Sequence, residues 1–391
     1  MLVKQMKLQA LLSNPKLFWL LLPLFLLLTW QFTFSNLKVL QKPALDFTVL
    51  YQAGKQVSVG LNPYSKKEIS DFHTPPPSLL VFSLLPLLPL EMSQIAWFLL
   101  SLISFLIGSY FLFKALNISD NRLLWIFYLS GVLVFFPFRF NLGSGEVNNF
   151  LFFFLSTSFY LLQKKKELPA AFLLSLGIIF KITPLFFLFL FLLEKRIKIL
   201  LGIAVCLLTL GAVTLLVFGP DLFLHYWAVI PRYFNLYDPV YYNQSLTAVF
   251  LRFSLPLTSI RIFSTLLLSF ALLVFIYFQR KINSQDLTSQ IILWNIGILY
   301  TLIFSTFAWQ HHFTIVLFPL ITTTYLFYKT KLSPIFFLTI AIIYLMLGLN
   351  IKNPAGLANF NITGAIILSH VFLGGVFLLL LNYFLAWRIK Y

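Results

Sequence analysis

Ten apolar runs of near-bilayer length follow one another along the chain, at 17–34, 94–114, 122–138, 147–163, 198–218, 259–279, 288–307, 312–328, 333–349 and 363–386. A helix needs about 20 residues to cross ~30 Å of hydrocarbon. The runs are apolar all round rather than alternating, so helices are expected and a β-barrel is not. Composition agrees: 10% of the 391 residues are charged and 60% are hydrophobic, against roughly 25% charged in soluble domains. A water-soluble enzyme is excluded, and an aromatic content of 18% excludes disorder. The chain therefore reads as one all-α polytopic membrane domain over 1–391. It has about ten full spans plus a pair of half-helices, and the first run is a retained anchor.

The formal charge is +17, carried by short basic clusters between apolar runs. That pattern suits anionic lipid headgroups and membrane orientation, not nucleic acid. Cys206 is the single cysteine, so no disulfide within the chain or cysteine cluster for zinc is expected. Two runs resist a simple reading. Residues 78–90 are short and contain Pro86 and Pro89. Residues 169–193 are interrupted at Lys181-Ile182-Thr183-Pro184. If 78–90 dips in and returns, and 169–193 is a broken hairpin, most of the 28 bases collect on one side. These include Lys114, Arg122, Lys164–Lys166, Lys195–Lys198, Arg280 and Arg388. The positive-inside rule makes that side cytoplasmic, with both termini on it.

Polar residues then concentrate on the opposite, exoplasmic side. They lie in a first loop at 35–77 with an interfacial helix, in the turn from Arg139 to Asn148, at Lys181, in a second loop at 219–258 and in Trp309-Gln310-His311-His312. A cavity built from loops and helix ends follows. The 11 acids include no Asp-x-Asp pair, and there is no His-x-x-x-His, so no metal is expected as cofactor. A lysine at membrane depth is costly and marks Lys181 as functional, unless it snorkels to the interface. His311 and His312 are candidates for acid/base work or phosphate contact, or are polar residues of the interface. Arg252 either meets a phosphate or snorkels. Asp46 opens a weakly amphipathic stretch in which Phe47, Leu50, Tyr51 and Val57 would face the membrane surface. It is a candidate base or an N-terminal helix cap.

The ordered motifs are Asp46-Phe47 with Tyr51, Gly60-Leu61-Asn62-Pro63-Tyr64, Phe72-His73-Thr74-Pro75-Pro76, Gly145-Glu146-Val147-Asn148, Phe180-Lys181-Ile182-Thr183-Pro184, Asn243-Gln244-Ser245-Leu246 with Arg252, and Trp309-Gln310-His311-His312. Together they resemble glycosyltransferase family 87, membrane transferases of the GT-C fold that include polyprenol-phosphate-mannose-dependent mannosyltransferases and arabinofuranosyltransferases. Glu146, where the family commonly has Gln, and His73-Thr74 depart from its pattern. The resemblance implies transfer of one sugar, mannose favoured, from a polyprenyl-phosphate donor to a lipid- or glycan-linked acceptor hydroxyl. The active site would lie on the exoplasmic face of the plasma membrane. It implies Asp46 as general base. Lys181, Arg252, His311 and His312 would be on the donor phosphate, and Tyr51, Tyr64, Glu146, Asn148 and Gln244 on substrate. The competing class is a transporter or flippase of a lipid-linked sugar, which also uses broken helices.

Overall fold

A computed structural model describes residues 15–65, 72–234, 239–282, 286–330, 333–351 and 362–390. Glu68, Asp71 and Asp238, three acids of the expected outer side, lie outside the described residues, as do Lys4 and Lys7. The described residues form helices and turns, with one isolated antiparallel bridge between Asn243 and Trp309. Among the described residues, five helices are long and apolar enough to cross a membrane: Lys16–Leu37, Leu90–Ala115, Ile197–Phe218, Leu257–Lys281 and His370–Arg388. The 122–138 run folds as α-helices Arg122–Val134 and Phe136–Ser144, bent by 64°. Pro137 in the first turn of the second piece explains the break at Phe135: it has no N–H to give the Leu133 carbonyl, and its ring crowds that carbonyl, so the first helix cannot run on through it. Leu287–Ile303 and Ile335–Gly348 are shorter apolar helices, and the 147–163 run forms Asn148–Gln163.

Burial is arranged for an apolar solvent. Leu216 is 85% exposed and Leu208 74%, whereas Asn295, Asn382, Thr322 and Thr323 are wholly buried. Asn295 donates to Asn382 Oδ1 at 2.8 Å and accepts from the Thr322 hydroxyl at 2.7 Å. Between lipid-exposed helices the hydrophobic effect offers no drive to associate, so close packing and interhelical hydrogen bonds of this kind hold them.

The first of the elements that carry the site is α1, Leu45–Ser58. The sequence places its apolar face on the membrane surface; the structure buries it in protein instead. Phe47, Leu50 and Val57 join Phe72, Phe82, Trp97 and Phe180 in a core of their own. The reason is backbone proximity. A Cβ on Gly54 would stand 2.0 Å from the Phe82 carbonyl oxygen, so glycine lets α1 lie directly on the Pro76–Leu87 segment. Next come α2, Phe136–Ser144, and α3, Asn148–Gln163. The 169–193 run breaks where expected: α4 is Glu167–Phe180, Lys181 is extended (φ −158°), and α5 is Phe186–Leu193 after a short 3-10 turn.

Candidate active site

The polar cluster begins at the turn between α2 and α3. Asn141 in α2 is fully buried. Its carbonyl accepts from the N–H groups of Gly145 and Glu146, and its Oδ1 accepts from Asn148 N at 3.2 Å and Asn148 Nδ2 at 2.9 Å. Gly145 adopts φ +76°, a left-handed turn that glycine enters without strain. A Cβ there would stand 2.5 Å from the Phe47 Cβ. Trp97 donates to the Gly145 carbonyl at 2.7 Å. This close contact of turn and helix sets Asp46, in the first turn of α1, beside the Ser144–Glu146 turn. Asp46 does not cap its helix. The cap position is Ala44, with no side-chain capping bond.

Lys181 enters from the break between α4 and α5. Its ammonium donates to Glu146 Oε1 at 3.3 Å and to Asn148 Oδ1 at 3.2 Å. Both side chains of the ion pair are 13% exposed. The lysine therefore does not snorkel to water; its charge is met inside the protein. An ammonium has three donors, and two are used here. Glu146 also accepts from the Val147 N–H.

Burial pushes the Asp46 carboxyl up to about 6, helped by the negative charge of Glu146, while the Ser144 hydroxyl and Lys181 act the other way. For Glu146 burial also disfavours ionisation. Lys181 above all, then His311, the Val147 N–H and His73, outweigh it and hold Glu146 down to about 2. Two neighbouring carboxyls thus differ in proton affinity because Lys181 is paired with Glu146, whereas Asp46 has burial and the Glu146 charge against its ionisation. Asp46 is the one poised to take a proton near neutral pH.

The histidines arrive on a 3-10 turn, Gln310–Val316. That turn is fastened by the chain around Asn243: Gln244 N donates to the Ala308 carbonyl and Gln310 N to the Tyr242 carbonyl, at 2.6 and 2.8 Å. The His311 ring stacks parallel to Trp309 and meets Phe140 edge-on, at centroid distances of 6.3 and 4.9 Å. One oxygen of Glu146 and one nitrogen each of His311 and His312 lie within 4.8 Å of one another. This trio is the candidate cation site of the described residues. No local ligand spacing marks it in the sequence, since 165 positions separate Glu146 from His311.

The profile of glycosyltransferase family 87 matches residues 72–306. The chain belongs to glycosyltransferase family 87. No curated protein matches it. It is accordingly a membrane glycosyltransferase, with sugar donor and acceptor as substrates. The matched region of this family 87 chain contains Glu146, Asn148 and Lys181. Asp46 and the two histidines lie outside it in sequence and are brought to it by the fold.

Other expected site residues are committed elsewhere. Arg252, fully buried, donates to the carbonyls of Pro239, Val240, Tyr241 and Asn243 and to the Ser369 hydroxyl. Gln244 donates to the Tyr241 and Leu368 carbonyls and accepts from Phe372 N. Both tie the 239–252 segment to the C-terminal helices, so neither is brought into the Lys181 cluster. The Tyr64 hydroxyl donates to the Thr74 carbonyl, with its ring between Phe72 and Tyr226. Tyr51 donates to the Leu88 carbonyl. Arg252→Ala is expected to remove the hydrogen bonds that gather the 239–243 carbonyls onto Ser369 and to lower stability by on the order of 3 kcal/mol. Thermal loss of the monodisperse protein should show it, with donor KM unchanged in what survives; a raised KM at normal stability would put Arg252 on the donor.

Ser144 and Asn141 carry no functional sign of their own in the sequence, and His73 stands out only as a departure from the family pattern. Ser144 bonds Asp46, Asn141 organises the turn, and His73 acts electrostatically on Glu146 and both histidines. The available signal was polar density in the Arg139–Asn148 turn and the unusual His73-Thr74 before three prolines.

Proposed function

We propose that the protein is an inverting glycosyltransferase that moves one sugar, mannose favoured, from a polyprenyl-phosphate donor to a lipid- or glycan-linked acceptor hydroxyl on the exoplasmic face. The juxtaposition of a high-pKa carboxyl, Asp46, with an ammonium, Lys181, that has one of its three N–H groups left carries this reading. The acceptor oxygen attacks the anomeric carbon as its proton passes to Asp46. The bond from that carbon to the phosphate oxygen breaks, and its electron pair leaves with polyprenyl phosphate. Lys181 has one N–H left for that phosphate, and neutral imidazoles of His311 and His312 add donors. One base and one displacement give inversion at the anomeric carbon. The cation at the leaving group is an ammonium, so turnover needs no divalent ion.

Purified protein in lipid nanodiscs, given polyprenyl-phosphate mannose and a membrane glycolipid extract, is expected to release polyprenyl phosphate and to label the extract. Excess chelator should leave the rate undiminished. A strict Mg²⁺ or Mn²⁺ requirement would contradict the ammonium mechanism. Movement of intact donor across liposome membranes without release would support the transporter class instead.

A further inference from the structure

Glu146, His311 and His312 present one oxygen and two nitrogens within 4.8 Å of one another. The two imidazoles are in mutual contact, with centroids 4.6 Å apart. Among the described residues neither imidazole makes a hydrogen bond. His311 is 5% exposed and its Nδ1 is buried without a partner. A buried imidazole nitrogen with no partner is unusual, because buried polar atoms are nearly always satisfied. His312 is half-buried.

We propose that these three side chains form an inhibitory site for a divalent ion of the zinc class, held in competition with the ammonium of Lys181. Two imidazoles and a carboxylate suit zinc and its neighbours in the first transition row, whereas Mg²⁺ and Ca²⁺ want oxygen. Zinc bonds of ~2.0–2.2 Å require the three atoms to draw together somewhat from their present spread. In the proposed site a rotation of the half-buried His312 ring brings its nitrogen in. The ion needs the Glu146 carboxylate, and Lys181 now holds Oε1 of that carboxylate at 3.3 Å. A dication and an ammonium cannot share it without repulsion, so occupancy drives Lys181 away. Binding is independent of the proposed reaction. Inhibition rests on it, because the displaced lysine is the one assigned to the donor phosphate.

The test uses full-length protein in nanodiscs, stripped by chelator, with any histidine tag removed and no substrate present. Co²⁺ is titrated by visible absorption and then displaced by Zn²⁺. One ion per chain is expected, with Mg²⁺ unable to displace it. Glu146→Gln and His311→Ala should each weaken it by more than the ~10-fold that loss of an outer partner costs. Lys181→Met should tighten binding at least ~10-fold, because a repelling charge is gone. Variants are compared only where they elute as monodisperse as the parent, and His312→Ala serves where His311→Ala does not. No stoichiometric binding, binding that survives loss of either ligand type, or unchanged affinity in Lys181→Met would overturn the site. Zn²⁺ should also raise donor KM. Binding without that effect would overturn the inhibitory role and Lys181's place on the donor, and leave the site itself standing.

Discussion

Asp46→Asn is expected to fold, to bind donor and to lose at least ~100-fold in turnover, the lower end of what a positioned general base contributes. Asparagine keeps the shape of the side chain but cannot take the acceptor's proton. The fold should tolerate the change, because Asp46 does not cap its helix and burial already disfavours its charge. The pH profile is the companion measurement. A base works deprotonated, and burial has pushed Asp46 up to about 6. Turnover should therefore be low in acid, rise through about pH 6 and level off above it. Glu146→Gln removes a negative neighbour while Lys181 remains, so it eases ionisation of Asp46 and should shift that rise to lower pH. Its effect on maximal turnover should be milder than that of Asp46→Asn. Near-normal turnover in Asp46→Asn with a dead Glu146→Gln would reverse the two roles.

Lys181→Ala is expected to raise the donor KM by roughly 10- to 100-fold, the range for losing a hydrogen bond to a charged group. Two effects add. The donor phosphate loses its ammonium, and Glu146 is left as an uncompensated carboxylate at the place where the phosphate must sit. The second effect makes the prediction specific. Adding Glu146→Gln to Lys181→Ala should restore part of the donor binding, although it removes a further charged residue. A double-mutant cycle on donor KM measures the coupling. If Lys181→Ala lowers expression and leaves KM untouched, the lysine serves only to hold the Gly145–Asn148 turn. Arginine is a poor rescue, since its planar fork does not fit a site shaped for a compact ammonium with Glu146 and Asn148 on two sides.

Much of the architecture was legible because a bilayer enforces local rules. Unpaired backbone is intolerable in hydrocarbon, so runs such as 198–218 and 259–279 had to be helices, as they are. The break at Lys181 was equally local: proline four residues into a polar interruption ends one helix and starts another. Several residues of the candidate site stood out in the sequence too, because polar side chains are few and a lysine at membrane depth is costly.

Their partners were not legible. Arg252 and Lys181 look alike on paper, each a lone cation near apolar runs. One is consumed by backbone carbonyls at 239–243; the other meets a carboxylate 35 positions away. Local patterning could not separate those fates, because each depends on which distant acceptor comes within about 3 Å. The same holds for α1, whose apolar face could equally have met lipid. A Cβ-free Gly54 against the Phe82 carbonyl and a left-handed Gly145 against Phe47 decided that it met protein. Sequence periodicity establishes that a face is apolar and where a helix stops. Packing alone determines what covers the face, and so it was the tertiary structure that put Asp46 beside Glu146 and Glu146 between a lysine and two histidines.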